Sequence, residues 1–316
     1  MITVTFLGTS GAIPSARRSM PSIALKYDEL FLWDCGEGCQ REMMRRGLGY
    51  GSVKAIFITH LHLDHFLGIF GLIETIRMNT QRESLLIFAP RGFSRIVEEI
   101  SPSMGWNPSF LDIREMREGE LYRGRDYSIL GFRVQHQKRA AFGLAFIEDD
   151  KNKFNEAKAK GLGLRGRMFR EIQEKGEVVV EGKKVLLSEV SRVRKGLKIV
   201  YSGDTIPLDS TAEISLGADL LIHDSTFGED LKDEAVERGH STAKEAAKIA
   251  KKAKAKRLAL THISGRYNAG GQLEEEAREV FADSFVAQDG MEIEVVPEGK
   301  KGTDEKGEKE KPGKSK

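Results

Sequence analysis

Cysteine is scarce in this 316-residue sequence, which has two, Cys35 and Cys39. They stand four apart around Gly36 and Gly38. That is neither the two-residue spacing of a zinc knuckle nor a disulfide framework, so both read as structural thiols. Long apolar runs are missing too. No stretch of eighteen apolar residues occurs, which argues against a membrane-spanning helix, and the opening Ile2 to Phe6 reads as a strand rather than as a charged-then-apolar leader. A cytoplasmic protein with no membrane partner is expected. Charge of one sign is also nearly absent overall, at +2. What remains is 40% hydrophobic and 31% charged, a composition that builds a core under a heavily charged surface.

The small net charge hides an uneven distribution. Between Lys151 and Lys198 there are fourteen Lys or Arg against six Asp or Glu, so this segment carries +8 and the rest of the chain −6. The segment is punctuated by Gly161, Gly163 and Gly166, contains the pair Met168-Phe169, and has hairpin chemistry around Glu181-Gly182. It reads as an insertion at about 151–196 within one domain spanning 1–297. The tail 298–316 is rich in Lys, Glu and Gly without an aromatic residue. Too little apolar surface is available there to fold, and disorder is expected.

Outside the insertion, apolar strands repeatedly end in polar clusters. Thr3 to Leu7 runs into Gly8-Thr9-Ser10-Gly11, followed by Pro14 and the basic pair Arg17-Arg18. Val53 to Thr59 delivers the chain to His60, and Leu67, Phe70, Ile73 and Ile76 then fall at helical spacing over Phe66 to Met78. Strands at 199–202, 220–223 and 257–261 follow, with a helix over Thr242 to Ala255 between the last two. Strands that each deposit His or Asp at one end, with helices between them, describe an α/β layered sandwich whose site lies along one edge.

The strongest local signal is His60-Leu61-His62-Leu63-Asp64-His65. In extended backbone, residues two apart point the same way, so His60 and His62 can face one metal, while the turn into the next helix redirects Asp64 and His65 towards a second position. Imidazole with carboxylate suits zinc or manganese rather than calcium. Further ligand types follow at strand ends: His136 after Phe132 to Gln135, Asp204 in Ser202-Gly203-Asp204-Thr205, and His262 after Leu258 to Thr261.

In order and spacing, the HxHxDH cluster, the later His, the Gly-Asp-Thr and the Thr-His resemble the metallo-β-lactamase superfamily over residues 1 to 297. The resemblance implies an αββα sandwich. It also implies one zinc on His60, His62 and His136, a second on Asp64, His65 and His262, and Asp204 bridging, two Zn2+ per chain in all. Such sites hydrolyse lactams, thioesters, lactones and phosphodiesters alike, so a small-molecule hydrolase stays open on the fold alone.

Two motifs narrow the choice. Gly239-His240-Ser241-Thr242 and Leu260-Thr261-His262-Ile263-Ser264-Gly265-Arg266-Tyr267 resemble the ribonuclease Z family, as do Phe6 to Ser10, Asp34 to Gln40 and Ala218 to Phe227. That likeness implies removal of the 3′ trailer from precursor tRNA, with Asp64 and His240 catalytic and His240 protonating the departing oxygen. It places His223 and Asp224 near the catalytic groups. It further implies substrate-binding roles for Arg17, Arg18, Ser241, Thr242 and Arg266, a basic arm reaching tRNA through residues such as Arg165 and Arg167, and a homodimer. The early loop departs from the family pattern, having Pro14-Ser15-Ala16-Arg17-Arg18-Ser19 without the Lys and Asn usual there.

Overall fold

Ile2, Val4 and Phe6 enter one core and Leu7 another, because successive residues of the first strand face opposite sides of its sheet. The computed structural model describes residues 1–267, 270–297 and the backbone of 304–305. Contacts divide the chain into two units, Met1–Ile147 with the residues from Leu197 on, and Glu148–Gly196.

The larger unit holds two mixed sheets. In chain order the first strands are β1 (Ile2–Gly8), β2 (Ser22–Lys26), β3 (Leu30–Trp33), β4 (Val53–Phe57), β5 (Leu85–Ala89) and β6 (Leu111–Glu115), interleaved with α1 (Cys39–Arg45), α2 (Leu63–Phe66), α3 (Ile69–Asn79) and α4 (Phe93–Met104). Then come β7 (Gly119–Arg123), β8 (Tyr127–His136) and β9 (Arg139–Glu148). The smaller unit contributes β10 (Lys151–Phe154), α5 (Glu156–Gly161), α6 (Met168–Lys175), β11 (Glu177–Val180), β12 (Lys183–Leu186) and β13 (Ser191–Arg194). The chain returns through β14 (Lys198–Tyr201), α7 (Asp209–Ile214), β15 (Leu220–Asp224), α8 (Lys232–Arg238), α9 (Ala243–Lys252), β16 (Leu258–Thr261), α10 (Gly271–Arg278), β17 (Ser284–Val286), β18 (Glu292–Val295) and β19 (Asp304–Glu305).

One sheet has the order β19-β18-β1-β2-β3-β4-β5-β6, the other β17-β16-β15-β14-β9-β8-β7. Residues from both, including Phe6, Trp33, Phe57, Phe146, Tyr201 and Ile222, form the core between them. A second core lies where α1, α3 and α4 cover the outer face of the first sheet, and a third where α9 and α10 cover the second. These are the four layers of an αββα sandwich. The alanine-rich inward face of α9 (Ala243, Ala246, Ala247, Ala250) brings its backbone close to the sheet beneath it.

The helix expected over Phe66 to Met78 is in fact two, α2 and α3, broken at Leu67-Gly68. A Cβ on Gly68 would stand 2.0 Å from the Gly36 carbonyl oxygen, and one on Gly36 would stand 2.3 Å from that of Asp64. Backbone therefore presses on backbone between the Asp34–Gly38 loop and the loop after β4, and only glycine permits the approach. The strand expected to reach Thr59 ends at Phe57.

The smaller unit has a core of its own, made by Ala159, Leu164, Ile172, Val178, Val180, Val185 and Val190. Its ends form a ribbon, β10 against β13, and β11 and β12 form a hairpin. Glu181 and Gly182 both have positive φ (48° and 79°), as a tight two-residue hairpin turn requires. Lys153, Lys158, Arg165, Arg167, Lys183 and Arg192 have no ion-pair partner among the described residues. The tail 298–316 lies outside the described residues except for Asp304–Glu305, whose backbone pairs with β18.

Candidate metal centre

The seven side chains singled out as ligands all come from the C-terminal ends of strands: His60 to His65 after β4, His136 ending β8, Asp204 after β14 and His262 after β16. They meet in one place. His60, His62, His136 and Asp204 offer ligand atoms within 4.8 Å of one another, and so do Asp64, His65 and His262. Asp204 Oδ2 lies 3.2 Å from His262 Nε2, 3.3 Å from His65 Nε2 and 3.6 Å from His60 Nε2, and thus touches both groups. His136 Nε2 is 3.2 Å from His62 Nδ1.

These atoms fit metal ligation. Ligand atoms around a tetrahedral zinc at roughly 2.0–2.1 Å stand about 3.3 Å apart, close to the separations found. Buried polar atoms ordinarily have partners, yet His60 Nε2, His65 Nε2 and Asp204 Oδ1 are buried without a hydrogen bond among the described residues. Their other ring nitrogens are held from behind. His60 Nδ1 lies 3.1 Å from Thr59 Oγ1, His65 Nδ1 2.8 Å from Asp34 Oδ2, His136 Nδ1 2.8 Å from the Gly239 carbonyl and His262 Nδ1 2.8 Å from Thr226 Oγ1. Each contact fixes the ring so that Nε2 faces inward, the arrangement that orients metal-binding histidines.

The electrostatics agree. Burial, reinforced by the neighbouring rings, holds His60 well below the ordinary imidazole range and His62 down to about 4, and burial also lowers His136. Neutral imidazole is the ligating form. For Asp204 and Asp64 burial favours the neutral acid, but the surrounding histidines outweigh it and hold Asp204 well below the carboxylate range and Asp64 at about 2. His65 goes the other way. Burial disfavours its cation, and the carboxylates of Asp204, Asp34 and Asp64 together raise it.

His240 sits beside this cluster, its ring 4.7 Å from that of His136 and 5.0 Å from that of His262. Its Nδ1 donates to Asp224 Oδ2 at 2.7 Å. Asp224 is in turn locked by the Thr205 and Thr226 amides (both 3.0 Å) and by the Thr226 hydroxyl at 2.6 Å. Burial works against the His240 cation, but the Asp224 charge and hydrogen bond prevail and push its pKa up to about 9. A protonated imidazole next to the metal cluster is equipped to donate a proton. His262 and Asp34 have positive φ (61° and 57°), strain that neither residue accepts freely and that collects at this site.

The remaining site residues divide. Arg17, Arg165 and Arg167 are exposed. Arg18 is turned inward, 7% exposed, donating to Thr9 Oγ1 and the Ala287 carbonyl, both at 2.6 Å; its guanidinium is engaged within the fold rather than presented to a phosphate. Ser241 is buried, its hydroxyl on the Thr205 carbonyl. Thr242 is the N-cap of α9 in a capping box with Glu245. Arg266 is exposed but forms a fork with Glu234 at 2.5 and 3.0 Å. His223 is fully buried with Nδ1 on the Asp224 carbonyl, and Cys35 and Cys39 are buried free thiols. The sequence reading assigned no role to Asp34, Thr59, Thr226 or the Gly239 carbonyl. Thr59 directly precedes the ligand cluster and could have drawn notice; Asp34, Thr226 and Gly239 are brought in only by the fold.

Residues 24–262 match the model of the metallo-beta-lactamase superfamily. The chain is 42% identical over 304 residues to ribonuclease Z of Archaeoglobus fulgidus, covering 94% of this chain and 98% of that protein. To ribonuclease Z of Haloferax volcanii it is 44% identical over 300 residues, covering 92% and 94%. The crystal structure of the human short-form tRNase Z superposes with a TM-score of 0.67 at 28% identity, covering 93% of this chain and 99% of that one. The chain belongs to the ribonuclease Z family of enzymes within that superfamily.

Proposed function

We propose that the chain is a zinc-dependent endoribonuclease that cuts the 3′ trailer from precursor tRNA, leaving a 3′-hydroxyl on the tRNA and a 5′-phosphate on the trailer. The observation carrying this reading is the juxtaposition of two groups of ligand atoms, joined by Asp204, with His240 held by Asp224 beside them. One zinc is assigned to His60, His62 and His136, the other to Asp64, His65 and His262, with Asp204 between them. When bound, the pair would activate water and polarise a phosphoryl oxygen. The chain's own residues do the rest. Asp34, Thr59, Gly239 and Thr226 keep the imidazoles aimed, and His240 delivers its proton to the departing 3′-oxygen, which otherwise leaves as a costly alkoxide.

The basic smaller unit is assigned to tRNA, its unpaired lysines and arginines meeting phosphates at a salt-dependent cost in counterions. Arg17 is the member of the early basic pair left free for substrate. The active species is taken to be a cytoplasmic homodimer. The experiment is incubation with zinc and a precursor tRNA labelled at its 5′ end. A labelled product ending in a 3′-hydroxyl near the end of the acceptor stem supports the reading, and an uncut substrate refutes it.

A further inference from the structure

The turn between β8 and β9, residues Gln137 and Lys138 followed by Arg139, is used by nothing described so far. It is pinned on two sides of the site. His136 Nδ1 and Gln137 Nε2 reach the carbonyls of Gly239 (2.8 Å) and Arg238 (3.4 Å) in the loop leading to His240. Arg139 Nη1 lies 3.5 Å from the Leu61 carbonyl, between His60 and His62, and the Phe142 amide donates to the Thr59 carbonyl at 3.1 Å. Gln137 is held at φ 50°, a left-handed conformation that a non-glycine residue adopts only under strain.

A strained, well-anchored turn thus presents two cations at the mouth of the centre. Lys138 and Arg139 are exposed, and neither has an ion-pair partner among the described residues. Other arginines of this region are neutralised: Arg238 and Arg266 share Glu234, and Arg133 lies 3.9 Å from Glu118. Two uncompensated cations beside a cluster built to hold further cations repel it. An anion placed between them and the centre turns that repulsion into attraction.

We propose that Lys138 and Arg139 form an RNA-phosphate clamp that grips the backbone next to the scissile bond, separately from the basic smaller unit. The inference rests on the functional reading above. Cleavage of precursor tRNA by the full zinc-loaded chain is followed over a range of salt concentrations for wild type, Lys138→Gln/Arg139→Gln, and Arg139→Lys. A double variant on the exposed face of α9, Lys248→Gln/Lys251→Gln, removes equal charge elsewhere.

Loss of the clamp should raise KM about tenfold or more, the size of a lost charge-assisted contact. It should also flatten the slope of log KM against log salt by roughly 1.4 to 1.8, because each phosphate contact releases about 0.7 to 0.9 counterion. kcat should change less than about twofold, Arg139→Lys should recover much of the affinity, and the α9 variant should match wild type. An unchanged KM and salt slope in the clamp variant, with wild type cleaving normally, overturns the clamp alone, as does an equal effect from the α9 variant. A wild type that leaves precursor tRNA uncut overturns the functional reading and the clamp with it.

Discussion

Replacing Asp224 by Asn keeps the shape of the His240 contact and removes its charge. In the wild-type protein the carboxylate reverses what burial alone would do, bringing His240 from below the ordinary imidazole range to about 9. Relative to an unperturbed imidazole near 6.5, that is on the order of 3 kcal/mol in favour of the cation. In the Asp224→Asn variant, burial is opposed only by the weaker pull of Asp204, and His240 should be mostly neutral at pH 7. General acid catalysis supplies about 100- to 10,000-fold, so kcat at pH 7 should fall by at least about tenfold. The acid must be protonated to act, so activity is lost as pH rises through its pKa, and the descending limb of the kcat profile should move to lower pH in Asp224→Asn. A bound metal would lower the limb in both proteins, so the separation between the two is the quantity to measure. Stability should move in parallel. A histidine raised in the folded state contributes stability that is complete below about 6.5 and is lost as pH rises through about 9. The melting temperature of wild type should therefore exceed that of Asp224→Asn most at pH 6 and least at pH 10. Superimposable pH–kcat profiles would falsify the assignment of His240 as the acid set by Asp224.

Three other outcomes follow from the same geometry. Asp34→Asn removes the acceptor that holds the His65 ring, and zinc affinity, measured by competition with a chromophoric chelator, should drop about 10- to 100-fold; an unchanged affinity sinks that role. A Cβ on Gly196 would stand 1.7 Å from the Glu148 carbonyl oxygen, so the two ends of the smaller unit adjoin and a short turn can replace residues 149–195. The shortened protein should bind zinc and hydrolyse a small aryl phosphodiester as before while losing most of its tRNA affinity in a filter-binding assay; retained affinity would exclude the smaller unit as a tRNA contact. Arg18→Ala strands buried acceptors on Thr9 and Ala287 and should cost about 1–3 kcal/mol in urea unfolding, whereas Arg17→Ala should leave stability untouched and raise KM. Equal midpoints for the two would contradict the buried role of Arg18.

What could be seen in the sequence and what could not divides along a physical line. Ligand chemistry is local in type. A histidine that ends an apolar strand is conspicuous because nothing in a turn requires it, and four ligand-type residues between His60 and His65 leave few other uses, whereas Asp204 after Gly203 has the chemistry of an ordinary turn and gains meaning only beside the histidines. Sheet patterning is local too, so β1, β14 and β16 are evident from alternation or from apolar runs, within a residue or so of their ends, whereas β8 begins at Tyr127, well before the Phe132 where the sequence places its start. Neither the interruption between α2 and α3 nor the approach of the Gly36 carbonyl to Gly68 leaves a periodic signal, because that approach is made only by the fold. Arg17 and Arg18 are alike as letters. One is exposed and the other is driven inward by Thr9 and Ala287, and that difference exists only once β1 and the segment after β17 are adjacent.

The supports of the centre are the least legible of all, for a reason built into how such centres work. A ligand must be a His or Asp, but whatever holds it from behind need only accept one hydrogen bond. At His65 the support is a carboxylate, at His60 and His262 a threonine hydroxyl, and at His136 the backbone carbonyl of Gly239, which no side-chain pattern can betray. That last contact joins a metal-facing ring to the residue just before His240, while Asp224 grips His240 from the other side. Position of the acid and position of the ligands are therefore set by one continuous run of hydrogen bonds through the ends of β8 and β15. A change to the Gly239–His240 loop should register at the metal and at the proton donor together, and that coupling belongs to the fold rather than to any motif within it.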